Sequence, residues 1–269
     1  MPTFTSKDGT SIAYDVRGSG PAVILIDGAW CGRNMGPMPK LAPLLAPHFT
    51  VYNYDRRSRG DSSVSTDYSP DREYEDLAAL IDIAGGSASL YGTSSGAALA
   101  LFATARGLPV DRLAIFEPPF TDVPGGKPMP RGYQQEVERL VAEDRRPELA
   151  RFFMVKMIGM PGIMMPLMRF NPGWKAMLHN APSLPHDTAI MQGYGFPTEV
   201  ARSIRVPTIV MSGDKTFKQL KEPVRLARET IPGARFASLP GQSHDAAAEL
   251  VAPVLIDFFT GADAARVAA

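Results

Sequence analysis

The run "LYGTSSG", Leu90 to Gly96, sets Ser94 between two glycines in a G-x-S-x-G arrangement, with an apolar stretch before it and small, helix-compatible residues after it. A serine in that setting is a candidate nucleophile, because a strained strand-to-helix turn lifts its hydroxyl clear of a sheet. The glycines matter because the turn brings strand and helix so close that side chains two positions away would collide. The same turn aims the Ser95 N–H, at a helix N-terminus, toward an oxyanion forming above Ser94. A Gly/Ser turn after a strand can also cradle a phosphate, but neither G-x-G-x-x-G nor G-K-[ST] stands here.

A serine nucleophile needs a base. Of the four histidines, His244 in "LPGQSHDA" follows the last predicted strand, on a loop at the carboxyl edge of the sheet beside Ser94. His48 precedes a strand, at the opposite edge, and His179 and His186 fall in a segment of different pattern. Asp245 reads as an N-terminal charge of the helix that follows His244.

The elements that must position these groups are legible as alternating runs. "TFTSKDGTSIAYDVRG" predicts a hairpin turning at Asp8-Gly9. "AVILID", "FTVYNYD", "SASLYG" and "RLAIFE" carry buried-strand signatures, and "MPKLAPLLAP", "DREYEDLAALIDIAGG" and "SGAALALFATARG" between them have helical spacing. The alternation stops after Glu117 and resumes with "VPTIVMSG", "LKEPVRLARETI", "ARFASL" and "AAAELVAPVLIDFF". The pattern predicts an α/β fold, a mostly parallel sheet covered by helices on both faces, with core segments 1–120 and 200–269. Residues 121–199 are expected to form a Met-rich helical cap, and the tail "GADAARVAA" to fray.

Bulk composition narrows the partners. The 28 basic and 28 acidic residues cancel, leaving no overall electrostatic footprint for nucleic acid or an anionic membrane surface. No stretch approaches the roughly 18 consecutive apolar residues of a membrane span, and "MPTFTSKDGTS" lacks an export leader, so a cytoplasmic location is expected. Cys31, the lone cysteine, cannot form an internal disulfide and reads as a packing residue. No metal or cofactor is expected.

Over essentially its whole length the chain resembles the α/β-hydrolase family. Besides the Ser94 turn and His244, "LIDGAW" stands where such enzymes commonly have a His-Gly oxyanion segment, and "NYDRRSRGDSS" where they carry an Asp-x-Arg-Gly-x-Gly-x-Ser loop. Two departures are visible: Asp27 replaces the usual histidine, and Ser58 precedes Arg59-Gly60. The resemblance implies that the Ala29 and Ser95 backbone amides form an oxyanion hole. It also implies a carboxylate to orient His244, for which two residues compete. Family members most often carry the acid three residues beyond the glycine of "TIVMSG", but that position is Thr216; Asp214 is one residue beyond. Glu117 ends the preceding core strand, where haloalkane dehalogenases of this fold can carry their acid, and a glutamate closing an apolar strand before Pro118-Pro119 calls for a partner. Glu117 is favoured, with Asp214 the alternative.

Eight of the 13 methionines fall between Met154 and Met191, which suits either an adaptable apolar cleft or a loosely packed helical layer. Trp30, Met154, Met157 and Met164 are the candidate pocket residues. Serine rather than aspartate at position 94 disfavours displacement at an sp³ carbon and leaves acyl transfer. The expected activity is hydrolysis of a small-to-medium apolar carboxylic ester, thioester or lactone through an acyl-enzyme. Alternatives are non-hydrolytic use of the same site, as in a perhydrolase, a lyase or an acyl-transfer or cyclisation enzyme, or a ligand-binding protein of the same fold.

Overall fold

The computed structural model of the chain describes residues 2–64 and 67–262; most of the tail expected to fray, 263–269, lies outside the described residues. The chain opens with the hairpin β1 (Thr3–Thr5) and β2 (Ser11–Arg17), whose turn is held by the Thr10 N–H donating to Asp8 Oδ1 at 3.0 Å. Then come β3 (Ala22–Ile26), α1 (Met38–Leu45), β4 (Thr50–Tyr54), α2 (Pro70–Ile83), β5 (Ala88–Thr93), α3 (Ser95–Ala105) and β6 (Val110–Phe116). Between β6 and the next strand run the helices α4 (Tyr133–Ala142), α5 (Arg146–Phe153), α6 (Met165–Met168), α7 (Trp174–Asn180), α8 (Leu184–Ile190) and α9 (Thr198–Ser203). The chain returns to the sheet with β7 (Thr208–Gly213), α10 (Lys218–Thr230), β8 (Arg235–Leu239) and α11 (Ala248–Thr260).

The eight strands form one sheet in the order β1-β2-β4-β3-β5-β6-β7-β8, antiparallel at β1-β2-β4 and parallel from β4 onward. The central strand β5 is buried along its whole length because helices cover both faces, whereas β8, at the edge, alternates half-buried and exposed residues before a buried Leu239. One face packs on α1 and α11 through residues such as Leu41, Leu45, Leu255 and Phe258; the other packs on α2, α3 and α10 through Leu77, Leu99, Phe102 and Val224. α3 is apolar on every side because it lies between the sheet and the inserted helices α8 and α9. A third apolar cluster, including Val137, Leu149, Met177 and Leu184, packs the inserted helices together over Trp30.

Chain reversal between β3 and its neighbours on either side, β4 and β5, opens a crevice at the carboxyl ends of the parallel strands. There the backbone is packed to contact. A Cβ on Gly96 would overlap the Ile26 carbonyl oxygen, and one on Gly92 would overlap that of Gly96. Gly96→Ala should therefore destabilise the fold by about 1–3 kcal/mol, since backbone rather than a flexible side chain must yield. Urea unfolding at neutral pH measures this, and an unchanged midpoint would show that strand β3 and helix α3 can separate freely.

Candidate active site

Ser94 sits where β5 turns into α3, with φ +55° and ψ −125°, a conformation L residues rarely adopt. From Ala88 to Thr104 it is the one residue not fully buried, so the turn presents this hydroxyl out of an otherwise closed strand and helix. Its N–H donates to the Phe116 carbonyl at 2.9 Å, and its own carbonyl accepts the Ala97 N–H at 2.9 Å. A Cβ on Gly28 would lie 2.9 Å from the Ser94 Cβ, so the segment after β3 presses directly on the serine. Ala29 and Ser95 line the same cavity as Ser94, and among the described residues neither backbone amide has a hydrogen-bond partner.

His244 lies on the loop between β8 and α11, about three-quarters shielded, and lines that cavity too. Its Nδ1 lies 2.6 Å from Glu117 Oε2. Glu117 is wholly buried at the end of β6, with φ +47°, and its Oε1 accepts the Ser212 hydroxyl and the Gly213 N–H, each at 2.9 Å. Burial opposes charge on this carboxyl, but the hydrogen bond and attraction of His244 hold it below the usual glutamate range. Asp214 is exposed, and among the described residues no hydrogen bond or ion pair joins it to His244. His48 and His179 are exposed and His186 is buried on α8. α11 begins only at Ala248, so Glu249, not Asp245, is the acidic residue of its first turn.

The cavity encloses about 520 Å³ counting its open mouth. The strand-end loops contribute Pro119 and Phe217, α10 contributes Leu220, and the inserted segment contributes Phe153, Met157, Ile158, Met191 and Tyr194. Met157 and Ile158 belong to a π-helical turn, Met154–Ile158, that continues α5 and ends at Gly159 with φ +83°. Of the four residues expected in a pocket, only Met157 lines this cavity. Trp30, with φ +65°, is buried beneath Phe153, their rings 4.4 Å apart. Met154 packs into the third apolar cluster, one residue off the face of the turn that meets the cavity, and Met164 is 46% exposed on the outer side. Sequence gives each methionine the same apolar character, whereas the helical phase decides which one faces inward.

No local sequence pattern marks Asp187. This residue of α8 reaches the cavity wall and is 2% exposed. Its Oδ1 accepts the Ser95 hydroxyl at 2.6 Å and Arg56 Nη1 at 2.8 Å, and Arg59 Nη2 lies 2.7 Å from both of its oxygens. Burial works against the charge, but Arg59 and Arg56 keep the carboxyl below the usual aspartate range. Arg56 also holds Glu73 through Nε and Nη2, and Arg59 donates from Nη1 to the Gly28 carbonyl at 2.6 Å. That carbonyl belongs to the peptide whose N–H is Ala29, so the guanidinium fixes and polarises that amide. The signal available was the triple arginine of "DRRSRG", too many cations for a buried loop without buried anions to meet them.

Asp27, standing where the family has histidine, is 1% exposed, and neither of its oxygens has a hydrogen-bond partner among the described residues. Burial outweighs the pull of Arg59 and Arg56 and pushes its carboxyl well above the usual aspartate range. Burial likewise raises the Cys31 thiol, which removes its nucleophilic form at neutral pH. Among the described residues no group of three or more His, Cys, Asp or Glu side chains is placed to hold a metal.

The Alpha/beta hydrolase family matches residues 12–254. The chain belongs to this family. A solved alpha/beta hydrolase from Sphaerobacter thermophilus is 44% identical, with a TM-score of 0.90 over 96% of this chain and 100% of that one. The enol-lactonase from Burkholderia xenovorans superposes with a TM-score of 0.72 at 20% identity, covering 96% of this chain and 100% of that chain, which is likeness of fold. The uncharacterized hydrolase YraK of Bacillus subtilis is 34% identical over 97 residues, 35% of each chain, so the match spans about a third of that relative's length.

Two outcomes follow from the buried charges. Asp187→Ala leaves the buried Arg59 guanidinium without its carboxylate, while Arg56 keeps Glu73, and should cost about 3–5 kcal/mol in urea unfolding. His186 is stacked on Tyr68 with ring centroids 3.6 Å apart; desolvation, the largest influence, lowers its pKa from 6.5 to about 4. A folded-state value below the unfolded one means that the unfolded chain alone gains this proton as pH falls from 6.5 toward 4. Stability should fall by up to about 3 kcal/mol across that window, and His186→Phe should remove this component. Unfolding curves at several pH values compare the two, and identical pH slopes for parent and variant would refute the assignment.

Proposed function

We propose that the protein is a serine hydrolase that cleaves apolar carboxylic esters, thioesters or lactones through an acyl-enzyme on Ser94. The observation that carries this reading is a convergence at one cavity: a half-exposed serine on a strained turn, and an imidazole lining the same cavity whose Nδ1 meets a buried carboxylate at 2.6 Å. In this reading Ser94 Oγ attacks the acyl carbonyl while His244 Nε2 takes its proton, and Glu117 holds Nδ1–H and offsets the imidazolium charge. The oxyanion is received by the Ala29 and Ser95 amides, which the structure leaves without competing partners. His244 then protonates the departing oxygen or sulfur. Water, deprotonated by the same imidazole, releases the acid and restores the serine.

The substrate class follows from the walls. Apart from the reacting groups the cavity is mostly Phe, Met, Ile, Leu and Pro, and the two guanidinium groups beside it are neutralised by Asp187 and Glu73. No uncompensated cation therefore draws a carboxylate substrate, and an uncharged apolar acyl group fits best. Residues 121–199 serve in this reading as a cap that shields the acyl-enzyme from bulk water.

A small fluorophosphonate followed by peptide mass spectrometry should modify Ser94, and His244→Ala should abolish the labelling. On any ester that is turned over, Glu117→Gln should lower kcat by about a hundredfold or more while Asp214→Asn stays within about a factor of two. Labelling elsewhere, or collapse of the Asp214 variant alone, would overturn these roles.

A further inference from the structure

The chain as a whole is electrically balanced, but residues 149–186 contain Arg151, Lys156, Arg169 and Lys175 and no Asp or Glu, a local net of +4. All four side chains are exposed, and none is ion-paired among the described residues. The contrast with the preceding helices is sharp: Arg139, Arg145 and Arg146 each pair with a carboxylate on α4 or in the turn to α5. The same stretch carries the largest exposed apolar side chains of the inserted segment. Ile163 is 87% exposed, Leu167 66%, Phe170 85% and Met164 46%.

Ile163, Leu167 and Phe170 are spaced i, i+4, i+7 along the turns that run from Gly162 through α6 into the turn closed by the Phe170 N–H on the Leu167 carbonyl, which puts them on one face. Arg151 reaches within 3.5 Å of where a Gly162 Cβ would stand, so a cation borders this face at its start, and Arg169 borders it at its end. An apolar face bordered by unpaired cations matches a surface that is apolar inside and anionic at its boundary. We propose that this face docks on an anionic phospholipid bilayer, with Ile163, Leu167 and Phe170 entering the acyl boundary and the four cations meeting the headgroups. Docking stands whether or not Ser94 reacts. Its link to the site runs along the chain: Met157 and Ile158, which line the cavity, lie in the same acid-free stretch.

Co-sedimentation of the full chain with phosphatidylcholine vesicles, with and without about a quarter phosphatidylglycerol, tests this at low and high salt. Binding should be at least about tenfold tighter to the anionic vesicles and should weaken strongly in high salt. Ile163→Asp/Phe170→Asp and, separately, Lys156→Glu/Arg169→Glu should each reduce it about tenfold or more, with circular dichroism and fluorophosphonate labelling of Ser94 unchanged. No binding at low salt, or equal binding to neutral and anionic vesicles, overturns the proposal. So does a concentration-dependent dimer in sedimentation velocity that Phe170→Asp dissolves, because the face would then belong to a second copy of the chain.

Discussion

Everything at the candidate site depends on how closely the end of β3, the turn at Ser94 and the start of α3 approach one another. The contact is backbone on backbone, with Gly28, Gly92 and Gly96 leaving no room for a side chain. Such closeness forces the serine into a positive-φ conformation that costs of order 1–3 kcal/mol and persists only where the surroundings over-determine it. Here they do: β5 is hydrogen-bonded to β3 and β6, α3 is buried on all sides, and the Ser94 N–H is tied to β6. Glu117, just past β6, and Trp30, in the segment after β3, also have positive φ, as does Tyr194 on the cavity wall, so strain gathers around the cavity.

A second constraint is the buried charge beside that turn. Arg56 and Arg59 enter from the loop after β4, Glu73 from α2 and Asp187 from the inserted α8, and all four are nearly inaccessible to water. Replacing such a set by apolar residues can leave a fold equally stable, so stability alone is a weak reason for it. Its geometry offers a better one. The network meets the Gly28 carbonyl and the Ser95 hydroxyl at once, which joins the inserted segment to the backbone on both sides of Ser94. The same neutralisation leaves the cavity without a spare positive charge, and the unpaired cations of the inserted segment lie instead on its outer surface.

Much of this could be read from the chain. Period-2 and continuous apolar runs located the strands, 3.6-period runs located the helices of the core, and the interruption after Glu117 marked the insertion. Glycine spacing around Ser94 and the position of His244 after the final strand indicated a serine and a base at one sheet edge. The whole-chain charge balance, by contrast, concealed an acid-free stretch on the inserted segment, because summing over 269 residues averages away a local asymmetry.

The sequence by itself determined the order of strands and helices, since periodicity and turn chemistry act over a few residues, and it put Ser94, Glu117 and His244 at strand ends. Only the tertiary structure decided which carboxylate meets the imidazole, because Glu117 and Asp214 lie almost equally far along adjacent strands and differ in direction and burial. It likewise decided that Met157 rather than Met154 or Met164 faces the cavity, and that Asp187, remote in sequence from the arginines it neutralises, completes their charge. These choices rest on contacts between segments tens of residues apart, which local patterns do not encode.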